Sequence, residues 1–146
     1  RALSRMFQER RVRKQYQALV EGRWTAADAG EIALPIGVDA CRRPKQKVDH
    51  ATGRPSLTRY RVLDIDAARA LTRIELDPVT GRSHQLRVHM QSVGHPMLGD
   101  SLYAPPEIKA LTPRLMLHAQ DIGFPHPFTE EALLFSAPVA WSAVNP

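Results

Sequence analysis

The sequence has little of several features that mark particular classes of protein. It contains one cysteine, Cys41, so no disulfide can form within the chain. A single thiol is typical of a reducing compartment. No apolar run approaches the roughly 20 residues that a membrane-spanning helix needs. These absences predict a cytoplasmic protein that does not enter a membrane.

The residue types that bind metals are too scattered to form a site. The sequence has six histidines, and no cluster of cysteines accompanies them. His84 and His89 are five positions apart, so they do not share one face of a helix, and His95 lies beyond a glycine. A zinc site requires three or four converging ligands. The sequence therefore predicts no metal ion, and a metal-dependent nucleic-acid enzyme lacks the ligands that it would need.

What the sequence does contain indicates a basic globular protein. Its 146 residues are 43% apolar, which is enough for one domain with a buried core. The formal net charge is +5, and sixteen of the twenty basic residues are arginines. Guanidinium groups bind phosphates and base edges through paired hydrogen bonds. This balance favours a nucleic-acid partner, although a high arginine content can equally reflect the coding composition of the source genome.

The pattern of apolar residues predicts more strands than helices. Strands are expected over 14–20, 57–65, 70–77, 115–119 and 131–135, with an edge strand over 32–38. Turn residues separate these segments, and no internal repeat or interdomain linker divides the chain. We therefore expect a single domain of the α+β class, with a mixed, largely antiparallel sheet and a few short helices.

Helical spacing predicts one short helix in the second half of the chain. It begins at an N-cap, Ser83, and buries a stripe of Leu86, Met90 and Val93. The glycine that follows Val93 is a typical helix end. An amphipathic helix is also expected over residues 2–11. Because the chain would then begin inside a helix without a methionine, we expect a further segment to precede it.

Two motifs carry most of the information about function. The first, Lys14-Gln-Tyr-Gln-Ala18, lies on the first predicted strand. The second runs from Thr80 to Tyr103 and contains Gly-Arg-Ser-His-Gln-Leu-Arg-Val-His, then Gly-His-Pro, then Gly-Asp-Ser-Leu-Tyr. Both resemble motifs of the RluA-type RNA pseudouridine synthases. The resemblance implies a pseudouridine synthase fold and an isomerase that converts specific uridines of RNA to pseudouridine, without a metal or an organic cofactor.

The same resemblance implies roles for two residues. In the family, the second arginine of the longer motif pairs with the catalytic aspartate, and Arg87 is the matching position. The tyrosine of the shorter motif stacks on the target base and is a proposed proton acceptor, and Tyr16 matches it. From the sequence pattern alone, Arg87 could instead belong to a solvated polar row with His84 and Gln91. Tyr16 could likewise be an ordinary core residue.

Other residues are expected to complete the pocket. The apolar segment 115–119 resembles the family's later motif, which lines the pocket beneath the base, so Leu115 or Leu117 is expected near the site. Ser83, His84 and Gln85 are expected to shape the turn and to brace the arginine that follows them. Direct catalysis by a histidine is not expected here.

A basic loop is expected to bind the RNA backbone. Arg43, Lys45 and Lys47 would contact phosphates, although such a run of charges can also be simply solvated. This loop and the Thr-Gly-Arg-Pro turn that follows it are similar to the RluA subfamily itself. That subfamily modifies both large-subunit ribosomal RNA and a tRNA anticodon stem-loop. The expected partner is therefore a structured RNA, rRNA or tRNA, bound by a monomer.

One motif of the family is missing from this sequence. The nucleophilic His-Arg-Leu-Asp motif occurs nowhere in the chain. Asp77 precedes a proline turn, and Asp100 belongs to the structural end of the longer motif, so neither replaces it. The resemblance thus implies that residues 1–146 are the C-terminal part of a single catalytic domain and are inactive alone. The alternative is a non-catalytic RNA-binding module, a synthase remnant that has kept the groove and lost the chemistry.

Overall fold

The fold is seen in a computed structural model, which describes residues 13–125 and 132–136. Within these residues the strands are β1 (Arg13–Glu21), β2 (Ala29–Ile32), β3 (Ile36–Val38), β4 (Gln46–Val48), β5 (Thr58–Asp66), β6 (Leu71–Pro78), β7 (Leu117–Pro125) and β8 (Ala132–Ser136). The helices are α1 (Gln85–Ser92) and α2 (Pro106–Lys109). No helix of this part is both long and apolar enough to span a bilayer.

Six of these strands form one antiparallel sheet. Their order is β2-β5-β6-β1-β7-β8, and every neighbouring pair is antiparallel. The short strands β3 and β4 form a separate antiparallel pair. We call residues 36–48 the basic hairpin, because they include Arg43, Lys45 and Lys47. The arrangement confirms the predicted α+β fold with a largely antiparallel sheet and a few short helices.

The main core lies between one face of the sheet and helix α1. Ala18 and Val20 of β1 and Ile74 of β6 are fully buried, because alternate residues of a strand face the same side. Leu86 and Met90 of α1 are buried in the same cluster. Burial of this apolar surface is the main contribution that holds α1 against β1. The packing thereby brings the two sequence motifs together.

The start of helix α1 differs from the prediction. The N-cap is His84 and not Ser83, and no side chain caps the helix at this residue. His84 lies in the left-handed region with φ 56°. The side chain of Gln85 stabilises the turn instead, since its Oε1 accepts hydrogen bonds from Arg82 N at 3.1 Å and from the Thr80 hydroxyl at 2.7 Å. The predicted role of Gln85 in shaping this turn is confirmed.

The buried face of helix α1 is also wider than predicted. Val93, predicted to be buried, is 37% exposed because it follows the last residue of the helix. Val88 and His89 are buried instead. Val88 packs against Ile36 and Tyr103, on the side away from the sheet. Helix α1 therefore lies between the sheet and the basic hairpin, a neighbour that no local sequence pattern predicted.

Several predicted strand limits shift in the structure. The segment over 32–38 divides at Pro35 into the end of β2 and the whole of β3. Part of the predicted basic loop forms β4, and the predicted strand over 115–119 begins at Leu117. The last strand is described from Ala132. The predicted helix over residues 2–11 lies outside the described residues.

Candidate functional site

A cavity of about 320 Å³ opens where β1 and β7 meet the loop that leads into α1. Strand β1 contributes Lys14 and Tyr16, and β7 contributes Leu117. The end of β6, the loop that follows it and the first turn of α1 contribute the remaining lining residues, which are Pro78, Val79, Thr80, Gly81, Arg82, His84, Gln85, Leu86 and Arg87. The two sequence motifs, distant along the chain, thus line a single cavity.

Tyr16 and Leu117 form an apolar part of this lining. In the register of β1 and β7, Tyr16 lies opposite Ala119 and Ala18 lies opposite Leu117. The two side chains are therefore diagonal neighbours on one face of the sheet, and both pack against the main core. Burial raises the pKa of Tyr16, so its phenol is uncharged at neutral pH. A phenol ring beside an aliphatic side chain suits a flat, weakly charged ring such as a base.

Arg87 is held by a buried aspartate. Its Nε and Nη2 donate to the two carboxylate oxygens of Asp100 at 3.0 and 2.6 Å. Asp100 is fully buried, and Oδ1 also accepts the backbone N–H groups of Leu102 and Tyr103. Burial alone would raise the pKa of Asp100, but the hydrogen bonds and charge of Arg87 with these backbone donors lower it below its ordinary value. Asp100 is therefore a fixed anion that orients Arg87.

This geometry adds a partner that the sequence did not reveal. Asp100 does not line the cavity, which agrees with its predicted structural place, but its ion pair with Arg87 was not expected. The third guanidinium nitrogen, Nη1, has no hydrogen-bond partner among the described residues. Pairing of Arg87 with a catalytic aspartate stays a prediction, and Nη1 is the atom left for it. The alternative of a solvated polar row does not hold for Arg87, whose side chain is only 17% exposed.

Tyr103 contacts Arg87 through its ring and His84 and Gln46 through its hydroxyl. The guanidinium carbon of Arg87 lies 5.1 Å from the centre of the Tyr103 ring, within the range of a cation–π contact. The Tyr103 hydroxyl lies 2.6 Å from His84 Nδ1 and accepts the backbone N–H of Gln46 at 2.9 Å. Asp100 and Tyr103, rather than Ser83, thus brace Arg87 directly.

The cavity is cationic on one side. Lys14, Arg82 and Arg87 line it, and none of its lining residues in the described part is an aspartate or a glutamate. Burial and the nearby charge of Arg87 lower the pKa of His84, so the imidazole is neutral at neutral pH. No group of three His, Cys, Asp or Glu side chains within residues 13–125 and 132–136 could hold a metal ion. The lining suits a flat ring attached to an anion.

Leu115 and Leu117 have different places. Leu117 lines the cavity, whereas Leu115 is half-buried against the main core and does not line it. The difference arises because β1 changes partner beyond Leu19, where it pairs with the segment around Met97 instead of with Leu115. Met116 still continues the register of β1 and β7, since its carbonyl accepts from Leu19 N, but its own N–H donates to Leu98 O. Of the two leucines predicted near the site, only Leu117 reaches it.

The basic hairpin lies beside a second cleft and does not reach the cavity itself. This cleft has a volume of about 440 Å³. Its lining residues are Ile36, Gly37, Val38, Gln46, Thr52, Arg54, Gly81, Arg82 and Ser83. Arg43 and Lys47 are exposed and Lys45 is half-buried, and none of the three lines the cavity or the cleft. Their predicted contact with phosphates stays a prediction.

Sequence reasoning missed two basic residues of the cavity. Lys14 and Arg82 both lie within the two motifs, but the sequence predicts no role for either of them. Arg82 lines both the cavity and the second cleft, and its guanidinium donates to Pro55 O through Nε at 3.1 Å and Nη2 at 3.0 Å. The position of each residue in the sequence could have indicated its place in the cavity. Lys14 lies two residues before Tyr16 on the same strand, and Arg82 lies directly before the N-cap region of α1.

Curated relatives match nearly the whole chain. It is 52% identical over 141 residues to the dual-specificity RNA pseudouridine synthase RluA of Pasteurella multocida, covering 97% of this chain and 64% of that protein. It is 49% identical over 138 residues to the RluA of Escherichia coli, covering 94% and 62%. The chain therefore spans a little under two thirds of the length of these relatives.

Solved structures and a family profile give the same result. Human RNA Pseudouridylate Synthase Domain Containing 1 superposes with a TM-score of 0.81 at 33% identity, over 94% of this chain and 59% of that one. Human RNA Pseudouridylate Synthase Domain Containing 4 shares the fold, with a TM-score of 0.75 at 24% identity, over 97% and 63%. The profile described as RNA pseudouridylate synthase matches residues 1–92, more than half of the sequence. The chain belongs to the RNA pseudouridylate synthase family.

Proposed function

We propose that the complete protein containing this chain is an RNA pseudouridine synthase. In this reaction the bond between uracil N1 and the ribose C1′ breaks, the base turns, and a bond forms between C5 and C1′. The hydrogen on C5 leaves as a proton, and N1 gains one, so no oxidant or reductant is needed. The observation that carries the proposal is one cavity in which Tyr16 and Leu117 flank Arg87, held in place by Asp100.

The size and lining of the cavity support a single nucleotide as its occupant. A volume of about 320 Å³ accommodates one nucleoside rather than a stretch of duplex. The target uridine would therefore be turned out of its stack, and Tyr16 would hold it by stacking. Leu117 would lie beneath the base. Lys14 and Arg82 would face the phosphates on either side.

The nucleophile is proposed to come from outside the described residues. The lining of the cavity in the described part contains no carboxylate, and Asp100 is buried and accepts four hydrogen bonds from the protein. More than a third of each RluA relative lies beyond the match with this chain. A carboxylate supplied by such a segment would meet Nη1 of Arg87, and the positive charge would keep that carboxylate ionised.

The second cleft supports a structured RNA as the substrate. It shares Gly81 and Arg82 with the cavity, so the two form a continuous path for an RNA strand. The basic hairpin lies beside this path, where its cations would contact the backbone. Since the RluA relatives are named dual-specificity enzymes, we propose rRNA, a tRNA stem-loop, or both as substrates. A cytoplasmic monomer is the form proposed to act on them.

The test is release of tritium from an RNA stem-loop that contains C5-tritiated uridine. The complete protein should release tritium, because forming the C5–C1′ bond expels that hydrogen, and added chelator should not slow the release. A second candidate, a non-catalytic RNA-binding module, is favoured by the absence of carboxylates from the described cavity lining. Tight RNA binding without any tritium release would establish that candidate and overturn the synthase proposal.

A further inference from the structure

The cavity contains a histidine whose two ring nitrogens have different surroundings. His84 lines the cavity at the start of α1. Its Nδ1 lies 2.6 Å from the hydroxyl of Tyr103. Its Nε2, on the other side of the ring, has no hydrogen-bond partner among the described residues. One nitrogen is therefore tied to the protein, and the other is available to a ligand.

The Tyr103 hydroxyl determines which nitrogen of His84 carries the proton. The backbone N–H of Gln46 can only donate, so the hydroxyl oxygen accepts it at 2.9 Å. The hydroxyl has one hydrogen of its own, and His84 Nδ1 is the only acceptor bonded to it among the described residues. Tyr103 is 6% exposed, so an unused O–H group would be costly there. Nδ1 is thus the acceptor, and in the neutral ring the proton resides on Nε2.

Burial, and then the neighbouring charge of Arg87, favour this neutral form. Arg87 lies next to the pair, with its guanidinium over the Tyr103 ring, and disfavours a second positive charge on His84. Burial is the larger cause, and together the two lower the pKa of His84 despite the opposing charge of Asp100. A fixed N–H donor therefore adjoins a cationic, partly apolar cavity at neutral pH.

We infer that His84 binds the RNA substrate by donating its Nε2–H to an oxygen of the nucleotide in the cavity, and that Tyr103 is the positioning residue that fixes this tautomer. The inference rests on the proposed function, because it requires a nucleotide as the occupant. Oxygen acceptors of this kind are the carbonyls of uracil and the adjoining phosphates. Gln46 belongs to the basic hairpin. Its hydrogen bond to Tyr103 therefore couples the position of that hairpin to the orientation of His84.

The first experiment compares His84→Asn with His84→Gln in the complete protein. Asn places its amide near Nδ1, so it keeps an acceptor for Tyr103 and loses the donor in the cavity. Gln extends its amide to the place of Nε2 and keeps that donor. Asn also tolerates the positive φ of this residue, so the stability of His84→Asn should be close to that of the wild type. Thermal unfolding checks this for both variants.

Tritium release from the same RNA stem-loop then gives KM and kcat for each variant. The expected result for His84→Asn is a KM about 5–10-fold higher with kcat nearly unchanged, because a binding contact is lost. His84→Gln should retain most of the wild-type KM. An unchanged KM in His84→Asn, or an equal rise in both variants, would overturn the inference. Absence of release by the wild type would instead overturn the proposed function.

Two further measurements complete the test. The ¹⁵N chemical shifts of the His84 ring identify its protonated nitrogen independently of activity, and a proton on Nδ1 in the wild type would refute the role of Tyr103. Modified RNA distinguishes the acceptor. If a uracil carbonyl accepts the hydrogen bond, 2-thio- or 4-thiouridine should weaken binding to the wild type but not to His84→Asn. If a phosphate accepts it, a methylphosphonate beside the target should have that effect.

Discussion

At the scale of single residues, the site depends on one buried ion pair. Asp100 is fully buried and uses both oxygens on Arg87, so the guanidinium has one orientation. A buried carboxylate that lost this partner would be strongly unfavourable, which ties the place of Arg87 to the stability of the fold. The same pair leaves Nη1 directed away from Asp100. Arg87 can therefore act on a second anion without leaving the first.

Replacement of Asp100 by Asn should separate this pair and lower stability. We expect the free energy of unfolding at pH 7 to fall by on the order of 3 kcal/mol, because a mostly buried guanidinium loses its counter-charge. The pKa of Asp100 is lowered in the folded state, so its contribution is present above the unfolded value near pH 4 and is lost as the pH falls further. Denaturant unfolding at several pH values measures both effects.

Asp28→Asn is the matched control for this change, because Asp28 is exposed and forms no buried ion pair among the described residues. Its effect should stay within about 0.5 kcal/mol. Equal stability of Asp100→Asn and the wild type at pH 7 would contradict the importance of the ion pair.

Tyr16 gives a second prediction at this scale. In the complete protein, Tyr16→Leu should reduce the rate of tritium release by at least about tenfold, because base stacking on an aromatic ring is lost. Tyr16→Phe keeps the ring and removes only the hydroxyl, so it separates stacking from proton transfer. Thermal unfolding shows whether the main core tolerates each change. Full activity in both variants would rule out a role for this ring in the reaction.

At the scale of elements, the place of α1 depends on a chain of buried hydrogen bonds. Gln85 Nε2 donates to the Thr58 hydroxyl at 3.0 Å, and that hydroxyl donates to His89 Nδ1 at 2.8 Å. His89 Nε2 then donates to Leu34 O at 2.8 Å. With these directions, every N–H and O–H group in this series of hydrogen bonds has an acceptor. The assignment requires that His89 is neutral. The helix is thereby fixed to β5 and to the segment before the basic hairpin.

The stability of the fold should therefore depend on pH through His89. Burial lowers the pKa of this histidine, despite its hydrogen bond to Leu34 O. A lowered pKa in the folded state means that stability is complete above the unfolded value near 6.5 and is lost as the pH falls below it. We expect the free energy of unfolding to decrease as the pH falls below about 6.5. Urea unfolding at intervals of pH would measure the decrease.

His89→Leu should reduce this pH dependence and lower stability at pH 7 by about 1–3 kcal/mol, because Leu34 O and the Thr58 hydroxyl lose a partner. His50 is exposed, so His50→Leu should leave the pH dependence as it is in the wild type. An unaltered pH profile in His89→Leu would show that other groups cause the loss of stability.

At the scale of the whole molecule, the cations of the basic hairpin lie beside the cavity and the second cleft, whereas other arginines lie elsewhere. The cavity and the second cleft share Gly81 and Arg82, and the basic hairpin lies beside them. Other arginines are paired elsewhere: Arg59 with Glu31 and Arg61 with Glu75. The net charge of +5 alone therefore does not predict how tightly the protein binds RNA, because only cations in the right place contact phosphates.

Salt dependence of RNA binding tests this distribution. Alanine at Arg43, Lys45 and Lys47 together should weaken binding and reduce the slope of log affinity against log salt by about 2–3, since each phosphate contact contributes about 0.7–0.9. The matched control replaces Arg59, Arg61 and Arg69, which removes the same charge from β5 and the turn after it. That variant should keep the wild-type slope. Equal slopes in the two triple variants would mean that only net charge matters.

The sequence by itself determined the fold class and the family, and it predicted two residues of the candidate site. Alternating apolar residues predicted the long strands, because burial of one sheet face imposes a period of two. Special residues at fixed spacing identified Tyr16 and Arg87, and both line the cavity. These features are local, so a single sequence is enough to reveal them.

Only the tertiary structure decided which side chains meet. The ion pair of Asp100 with Arg87, the tautomer of His84 and the separation of Leu117 from Leu115 all depend on loops that pack side by side. Contacts between segments distant in sequence leave no periodic signal. Their geometry follows from shape and from the need of each buried polar group to find a partner, and that need is met only once the whole core has formed.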